Sequence, residues 1–399
     1  MRTILLSLFA ALFFCACAST KPEEPMKDVI DRVMKVAEQQ TVAMADSLLP
    51  QEGRLPRTLD PKTGKLLTSD SRWWCSGFFP GTLWYLYEYD KSEKIKALAE
   101  EFTDRVEQEK YTTSNHDVGF MLYCSFGNEL RLTGDTACND VLLTGSKSLI
   151  TRYNPTIGLI RSWDFKKDVW QYPVIIDNMM NLEMLMWAFK YSGDSTFYKI
   201  AVSHTDKTLK NHYRSDYSCY HVVSYDTITG APEKKQTQQG ASDESIWARG
   251  QAWGLYGFTM MYRETGKKEY LEQAQHIAKL MIHHPNMPDD MIPYWDYLAP
   301  NIPNEERDAS TAAIMASGLI ELSDYVHDEL LAQEYMDVAE KQLRVLASPE
   351  YLAEPGTNGN FLLKHNVGSK PQDSEVDVPL TYADYYFLEA LNRYNQKLK

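Results

Sequence analysis

The feature that most constrains this chain is a strict alternation of two kinds of helical segment. Six segments are apolar nearly all round, and the spacing predicts helices over residues 77–89, 117–132, 177–191, 247–264, 308–325 and 381–394. In the third, V-I-I-D-N-M-M-N-L-E-M-L-M-W-A-F-K at 174–190, the residues Met179, Met180, Leu182, Met184, Leu185, Met186, Trp187 and Phe189 leave no solvated face. Such a helix must be surrounded by protein. The segments between carry one apolar stripe: Ile95, Leu98, Phe102 and Val106 step by three and four, as do Tyr270, Ala274, Ile277, Ala278 and Met281. A further amphipathic helix, Met26 to Leu48, opens the chain. Six buried helices inside six amphipathic ones imply an all-α fold, an (α/α)6 barrel. A long α-solenoid is the alternative, but its helix pairs would be more uniform in length.

Repeated junctions support the ring. R-L-T-G-D at 131–135, Y-S-G-D at 191–194 and R-E-T-G-K at 263–267 each read as a helix end with a left-handed glycine, followed at once by a new helix. Y-E-Y-D-K at 87–91 and D-Y-V-H-D at 324–328 are weaker versions. Inner-to-outer turns are thus expected to span one to three residues, whereas the outer-to-inner connections are long. In an alternating barrel all the long loops lie on one end, beside the N-termini of the inner helices, and long loops in a compact domain carry function. Asp117 and Asp177 stand on that end. Each is either an N-cap or a catalytic acid.

A chain of 399 residues, 44% hydrophobic and 24% charged, can bury a large core. Its formal charge of −14 argues against a nucleic-acid partner and means that an anionic substrate needs a local cationic cluster. The first residues combine one Arg, an apolar run from Ile4 to Phe14, and small residues beside cysteine, which is the pattern of a bacterial export signal. The Ala16-Cys17 pair resembles a lipoprotein signal. The expected division is a signal peptide over 1–16, lipidation at Cys17, a linker over 17–25 and a catalytic domain over 26–399; the alternative is plain secretion with cleavage nearby. The expected location is an exported, membrane-anchored bacterial lipoprotein, periplasmic or at the cell surface. Cys75, Cys124, Cys138 and Cys219 form no metal or disulfide pattern and read as small buried hydrophobes.

The long-loop end gathers S-R-W-W-C-S-G-F-F-P-G, N-H-D-V-G-F, R-S-W-D-F, I-I-D-N-M-M-N, T-Q-Q-G-A-S-D-E-S-I-W-A-R-G-Q-A-W and P-L-T-Y-A-D-Y-Y. Aromatic faces stack on sugar rings and paired carboxylates do acid/base work, so this mixture reads as a carbohydrate site. The bland readings are packing for the aromatics, caps for the acids, and for Arg249 an ion pair with Asp243 or Glu244. Together the segments resemble glycoside hydrolase family 88, the unsaturated glucuronyl hydrolases, over nearly the whole mature chain. The resemblance implies an (α/α)6 barrel that releases the 4,5-unsaturated uronic acid left by polysaccharide lyases at the non-reducing end of glycosaminoglycan fragments. It implies Asp177 as general acid/base and Asp117 as its assistant. It carries the binding roles onto His116, Phe120, His221, Gln239, Arg249, Trp253 and Tyr382, with Trp74 and Trp163 facing sugar. A family His beside the binding Gln is Gln238 here. Neither metal nor other cofactor is implied.

Lys370, a cation in the last long loop, is expected to hold a sulfate or carboxylate of the neighbouring sugar. Two other readings stand beside this one. An unsaturated rhamnogalacturonyl hydrolase would use the same barrel on pectin fragments, and an inactive glycan-binding lipoprotein would keep the site without turnover.

Overall fold

The computed structural model describes residues 23–399. The expected signal peptide, the acceptor Cys17 and most of the linker lie outside them. Among the described residues twelve long helical segments alternate as the sequence predicts, beside three short 3₁₀ turns. The outer ones are α1 (Met26–Leu48), α3 (Glu93–Asp104), α5 (Cys138–Ile150), α7 (Ser195–Asn211), α9 (Lys268–His283) and α11 (Glu329–Leu346). The inner ones are α2 (Phe78–Asp90), α4 (residues 118–133), α6 (residues 176–192), α8 (Ala248–Thr265), α10 (Ala309–Leu322) and α12 (Thr381–Lys397). Consecutive inner helices pack side by side and α12 returns against α2, which closes the barrel.

The apolar patterning explains the layers. From Ala248 to Met261 every residue of α8 is buried, whereas α9 buries Tyr270, Ala274, Ile277, Ala278 and Met281 on one stripe. The inner helices end where the junction glycines stand: Gly134, Gly193 and Gly266 are all left-handed, at φ 74°, 73° and 69°. The inner-to-outer turns run over residues 91–92, 134–137, 193–194, 266–267 and 323–328, so two exceed the expected three residues. Cys75, Cys124, Cys138 and Cys219 are buried and unpaired.

The long loops are not structureless. They hold four small antiparallel sheets: β1 (Leu55–Leu59) with β2 (Leu66–Ser69), β3 (Tyr153–Asn154) with β4 (Leu159–Ile160), β5 (Pro173–Ile175) with β6 (Val222–Tyr225) and β7 (Pro232–Gln236), and β8 (Asn366–Ser369) with β9 (Ser374–Val378). The segments between these strands and the inner helices line a cavity, to which the strands themselves contribute Ile175 of β5.

Candidate active site

Two inner helices deliver the acids. Helix α4 begins just after Asp117, and α6 opens with a 3₁₀ turn, Ile176–Asn181, that contains Asp177. The helices approach so closely that a Cβ on Gly119 would lie 2.7 Å from Asn181, which accounts for the glycine of H-D-V-G-F. Asn181 Oδ1 accepts the backbone N–H of Phe120 at 2.8 Å and locks the two helix starts together.

The cap reading fails for both acids. Neither side chain accepts a capping bond from its helix, whereas Asp194, Asp308 and Asp328 each cap theirs. Asp177 is buried, and its Oδ2 has no hydrogen-bond partner. A buried carboxylate oxygen without a partner favours the protonated form. Burial pushes Asp177 up to about 7 while Arg249 pulls it down. Burial, reinforced by the charge of Asp177, pushes Asp117 up to about 8. The repulsion between the acids is therefore felt at Asp117, and the pair retains a proton near neutrality.

Two histidines flank the pair without ionising. His116 Nε2 lies 3.4 Å from Asp117 Oδ1, and His221 Nε2 lies 3.8 Å from Asp177 Oδ2. Both fall within ion-pair range, yet burial lowers His116 to about 3 and, with the Arg249 charge, holds His221 well below its usual value. They are neutral rings. His221 Nδ1 accepts the backbone N–H groups of Gln238 and Gln239 at 3.0 and 3.1 Å, so its own proton sits on Nε2 and faces the acid.

A cavity of about 510 Å³ opens over the acids. Of the residues expected to bind substrate, Trp74, His116, Trp163, Gln239 and Arg249 line it. Four others stand one layer behind the wall. Phe120 and Tyr382 pack on Trp74 with ring centroids 5.7 and 5.0 Å apart, Trp253 packs on Phe120 at 5.3 Å, and His221 meets Trp163 at 6.1 Å. The Tyr382 hydroxyl is buried without a protein partner, and the Trp253 indole nitrogen, buried, helps pull Asp177 down.

The bland reading of Arg249, an ion pair with Asp243 or Glu244, is not what the structure holds. Arg249 bonds Asp308 at 3.0 Å and donates to the carbonyls of Val367 and Gly368, whereas the Asp243 carboxylate accepts the Thr237 N–H and Glu244 pairs with Arg214. Gln239 donates to the same Gly368 carbonyl at 3.0 Å, so the last long loop is seated on the cavity by its backbone. Lys370, two residues on, does not reach the cavity. Its ammonium pairs with Glu306 and, at 3.3 Å, with Glu305. Gln238 accepts from Lys166 at 2.6 Å.

Sequence reasoning missed three groups. Asp308, buried partner of Arg249, signalled itself only as a third acid before an inner helix. Asn178 and Asn181 lay in a quoted motif without a role. Arg72, Asn115 and Phe165 also line the cavity, Phe165 stacked on Trp163 at 4.6 Å, and no periodicity marks them.

An (α/α)6 barrel with two carboxyls of raised pKa facing an aromatic-walled cavity is the arrangement of a carbohydrate-processing enzyme. The comparisons make the class specific: residues 52–397 match the profile described as Glycosyl Hydrolase Family 88, and the chain belongs to that family. The chain is 48% identical over 324 residues to an unsaturated glucuronyl hydrolase of Formosa agariphila, covering 81% of this chain and 80% of that one. It is 32% identical to an unsaturated chondroitin disaccharide hydrolase of Streptococcus pneumoniae, covering 82% of each. Among solved structures, an unsaturated glucuronyl hydrolase specific for heparin superposes with TM-score 0.90 at 47% identity, over 93% of this chain and 98% of that one. A variant of the Streptococcus agalactiae enzyme in complex with dGlcA-GalNAc6S superposes with TM-score 0.77 at 26% identity, over 93% and 92%.

Proposed function

We propose that the chain is an unsaturated glucuronyl hydrolase that removes the 4,5-unsaturated uronic acid from lyase-generated glycosaminoglycan fragments. The observation that carries this reading is the pair Asp177, buried, and Asp117, half-buried, neither capping its helix and both facing one cavity with pKa values raised to about 7 and 8. Two ionised carboxylates would repel a uronate. A pair that holds a proton admits it and has that proton to give.

In the proposed reaction Asp177 donates its proton to C4 of the double bond, and the positive charge develops at C5. A water adds at C5 and returns a proton to Asp177. The resulting hemiketal opens to a ketone at C5, and the hemiacetal thus freed at C1 expels the next sugar with the glycosidic oxygen. Asp117 shares the proton of the pair, and His221 presents its Nε2 proton beside Asp177. Trp74 and Trp163 supply ring-stacking faces. Arg249, fixed by Asp308 and Gly368, supplies the positive field for the substrate carboxylate. None of these steps uses a cofactor.

The names of the relatives favour a glycosaminoglycan fragment over a pectin fragment, and both acids and Arg249 are in place for turnover rather than binding alone. The test is incubation with unsaturated heparin, chondroitin and pectin disaccharides while the ultraviolet absorbance of the double bond is followed. Loss of absorbance with the glycosaminoglycan products supports the reading, and turnover of pectin products alone removes it. Lipid anchoring through Cys17 and export to the periplasm or surface complete the proposal, supported by the sequence of residues 1–20.

A further inference from the structure

Outer helix α7 and its C-cap residue His212 turn a row of polar side chains inward. His204, Thr208 and His212 follow one another at intervals of four residues, so they share one face, and all three are buried. Thr208 Oγ1 and both nitrogens of His212 find no protein partner. His204 does: its Nδ1 accepts the backbone N–H of Ile160 at 3.0 Å. Because Nδ1 accepts, the proton of the neutral ring is on Nε2, which is itself unpartnered. A leucine would fill the same space without leaving a buried nitrogen unsatisfied. The distinctive service of the imidazole is the acceptor it offers to Ile160.

The Ile160 peptide is tied to the catalytic floor. Its carbonyl accepts from Asn178 Nδ2 at 3.0 Å, and Asn178 is the residue after Asp177. Two residues on, the Ser162 carbonyl accepts the backbone N–H of His116 at 3.0 Å, and the Ser162 hydroxyl accepts the N–H of Ile175 at 2.9 Å. Segment 160–162 therefore touches both sides of the acid pair, Asn178 beside Asp177 and His116 beside Asp117. The flanking peptides have their own partners, since the Arg161 N–H donates to the Arg152 carbonyl at 3.0 Å and the Ser162 N–H to the Pro173 carbonyl at 2.9 Å, whereas the Ile160 N–H has only the imidazole. Without His204 the Ile160 N–H is a buried donor with nowhere to go.

We propose that His204 is a positioning residue for the hydration reaction: its Nδ1 fixes the Ile160 peptide and, through Asn178 and His116, sets where Asp177 and Asp117 stand in the cavity. It touches no reacting atom, and the proposal rests on the assignment of those two acids. Placement matters on this scale, since a shift of about 1 Å in a reacting group costs about 100-fold in rate.

The test compares kcat and KM of the full chain and four variants on one unsaturated disaccharide. His204→Leu removes the acceptor and lowers kcat about 10- to 100-fold with KM within about twofold, the split expected when reacting groups rather than binding groups move. His204→Asn puts Oδ1 where Nδ1 stood and keeps kcat within about threefold of wild type. Thr208→Val, which removes a buried polar group from the same face without touching Ile160, leaves both constants unchanged. If the leucine variant does not fold, His204→Gln, whose amide occupies the Nε2 position instead, takes its place against His204→Asn. A folded leucine or glutamine variant with wild-type kcat overturns the proposal, as does an equal loss in the asparagine variant. Asp177→Asn run alongside separates the failures: turnover in that variant removes the acid assignment itself, whereas a missing contrast at His204 with Asp177→Asn inactive removes only this inference.

Discussion

Replacing Asp177 with Asn moves two observables in opposite directions. The carboxyl titrates at about 7 in the fold against 3.8 for the free side chain. Between those values the folded protein holds a proton that the unfolded chain has lost, so stability falls as pH rises through this window, and the full penalty stands above pH 7. About three units at about 1.4 kcal/mol each set the penalty at about 4 kcal/mol at most. Asn carries no charge and abolishes it. The variant is therefore more stable than wild type at pH 8, by up to that amount, and no more stable at pH 4. Its kcat falls about 10²- to 10⁴-fold or more, because Asn has no proton to give to C4. Denaturation midpoints at the two pH values, beside the rate of absorbance loss at saturating disaccharide, measure both effects. Asn caps a helix as well as Asp does, so a capping Asp177 would leave stability and turnover nearly unchanged. That result, or a variant less stable at pH 8, refutes the reasoning.

Asp117→Asn removes the like charge that makes the last proton of the pair hard to lose, so the alkaline limb of the kcat profile moves to lower pH and kcat falls; a limb that moves up contradicts the shared proton. Arg249→Met strands buried Asp308, which costs about 3–5 kcal/mol in a denaturation experiment, and lifts the restraint on Asp177 so that the alkaline limb moves up. A stability within error of wild type would show that the Arg249–Asp308 pair is dispensable. Lys370→Ala changes KM equally for sulfated and unsulfated disaccharides, because the ammonium is committed to Glu305 and Glu306, and a rise confined to sulfated substrates would restore its expected role. Cys17→Ser releases the protein from the membrane fraction of a lipoprotein-processing host; a wild type already soluble there contradicts the anchor.

The ring was legible because its signal is long and repeated: an apolar helix such as α8 and a striped helix such as α9 differ over four turns each, and glycines 134, 193 and 266 mark the ends. The acids were legible as positions, since Asp117 and Asp177 precede inner helices, but so does Asp308, which caps its helix and holds Arg249. Sequence alone does not tell a capping Asp from an uncapped one, because the difference is a hydrogen bond and not a residue type. The loop hairpins escaped notice for a different reason. Strands of two to five residues carry too little alternation to read, yet β6 leads out of His221 and β4 carries Ile160. The partner of Arg249 was not legible, because sequence offers only the neighbours Asp243 and Glu244 as alternatives to a binding role, while Asp308 is near in space.

The most direct test of hydration at the double bond is turnover of an unsaturated glycosaminoglycan disaccharide in D₂O, with the released uronic acid read by mass spectrometry and NMR. If a proton is delivered to C4, the wild-type product carries one deuterium at C4, gained as the ultraviolet absorbance disappears and the second sugar is released. Release of the second sugar while the double bond persists, with no deuterium at C4, would place the attack at C1 and contradict the mechanism.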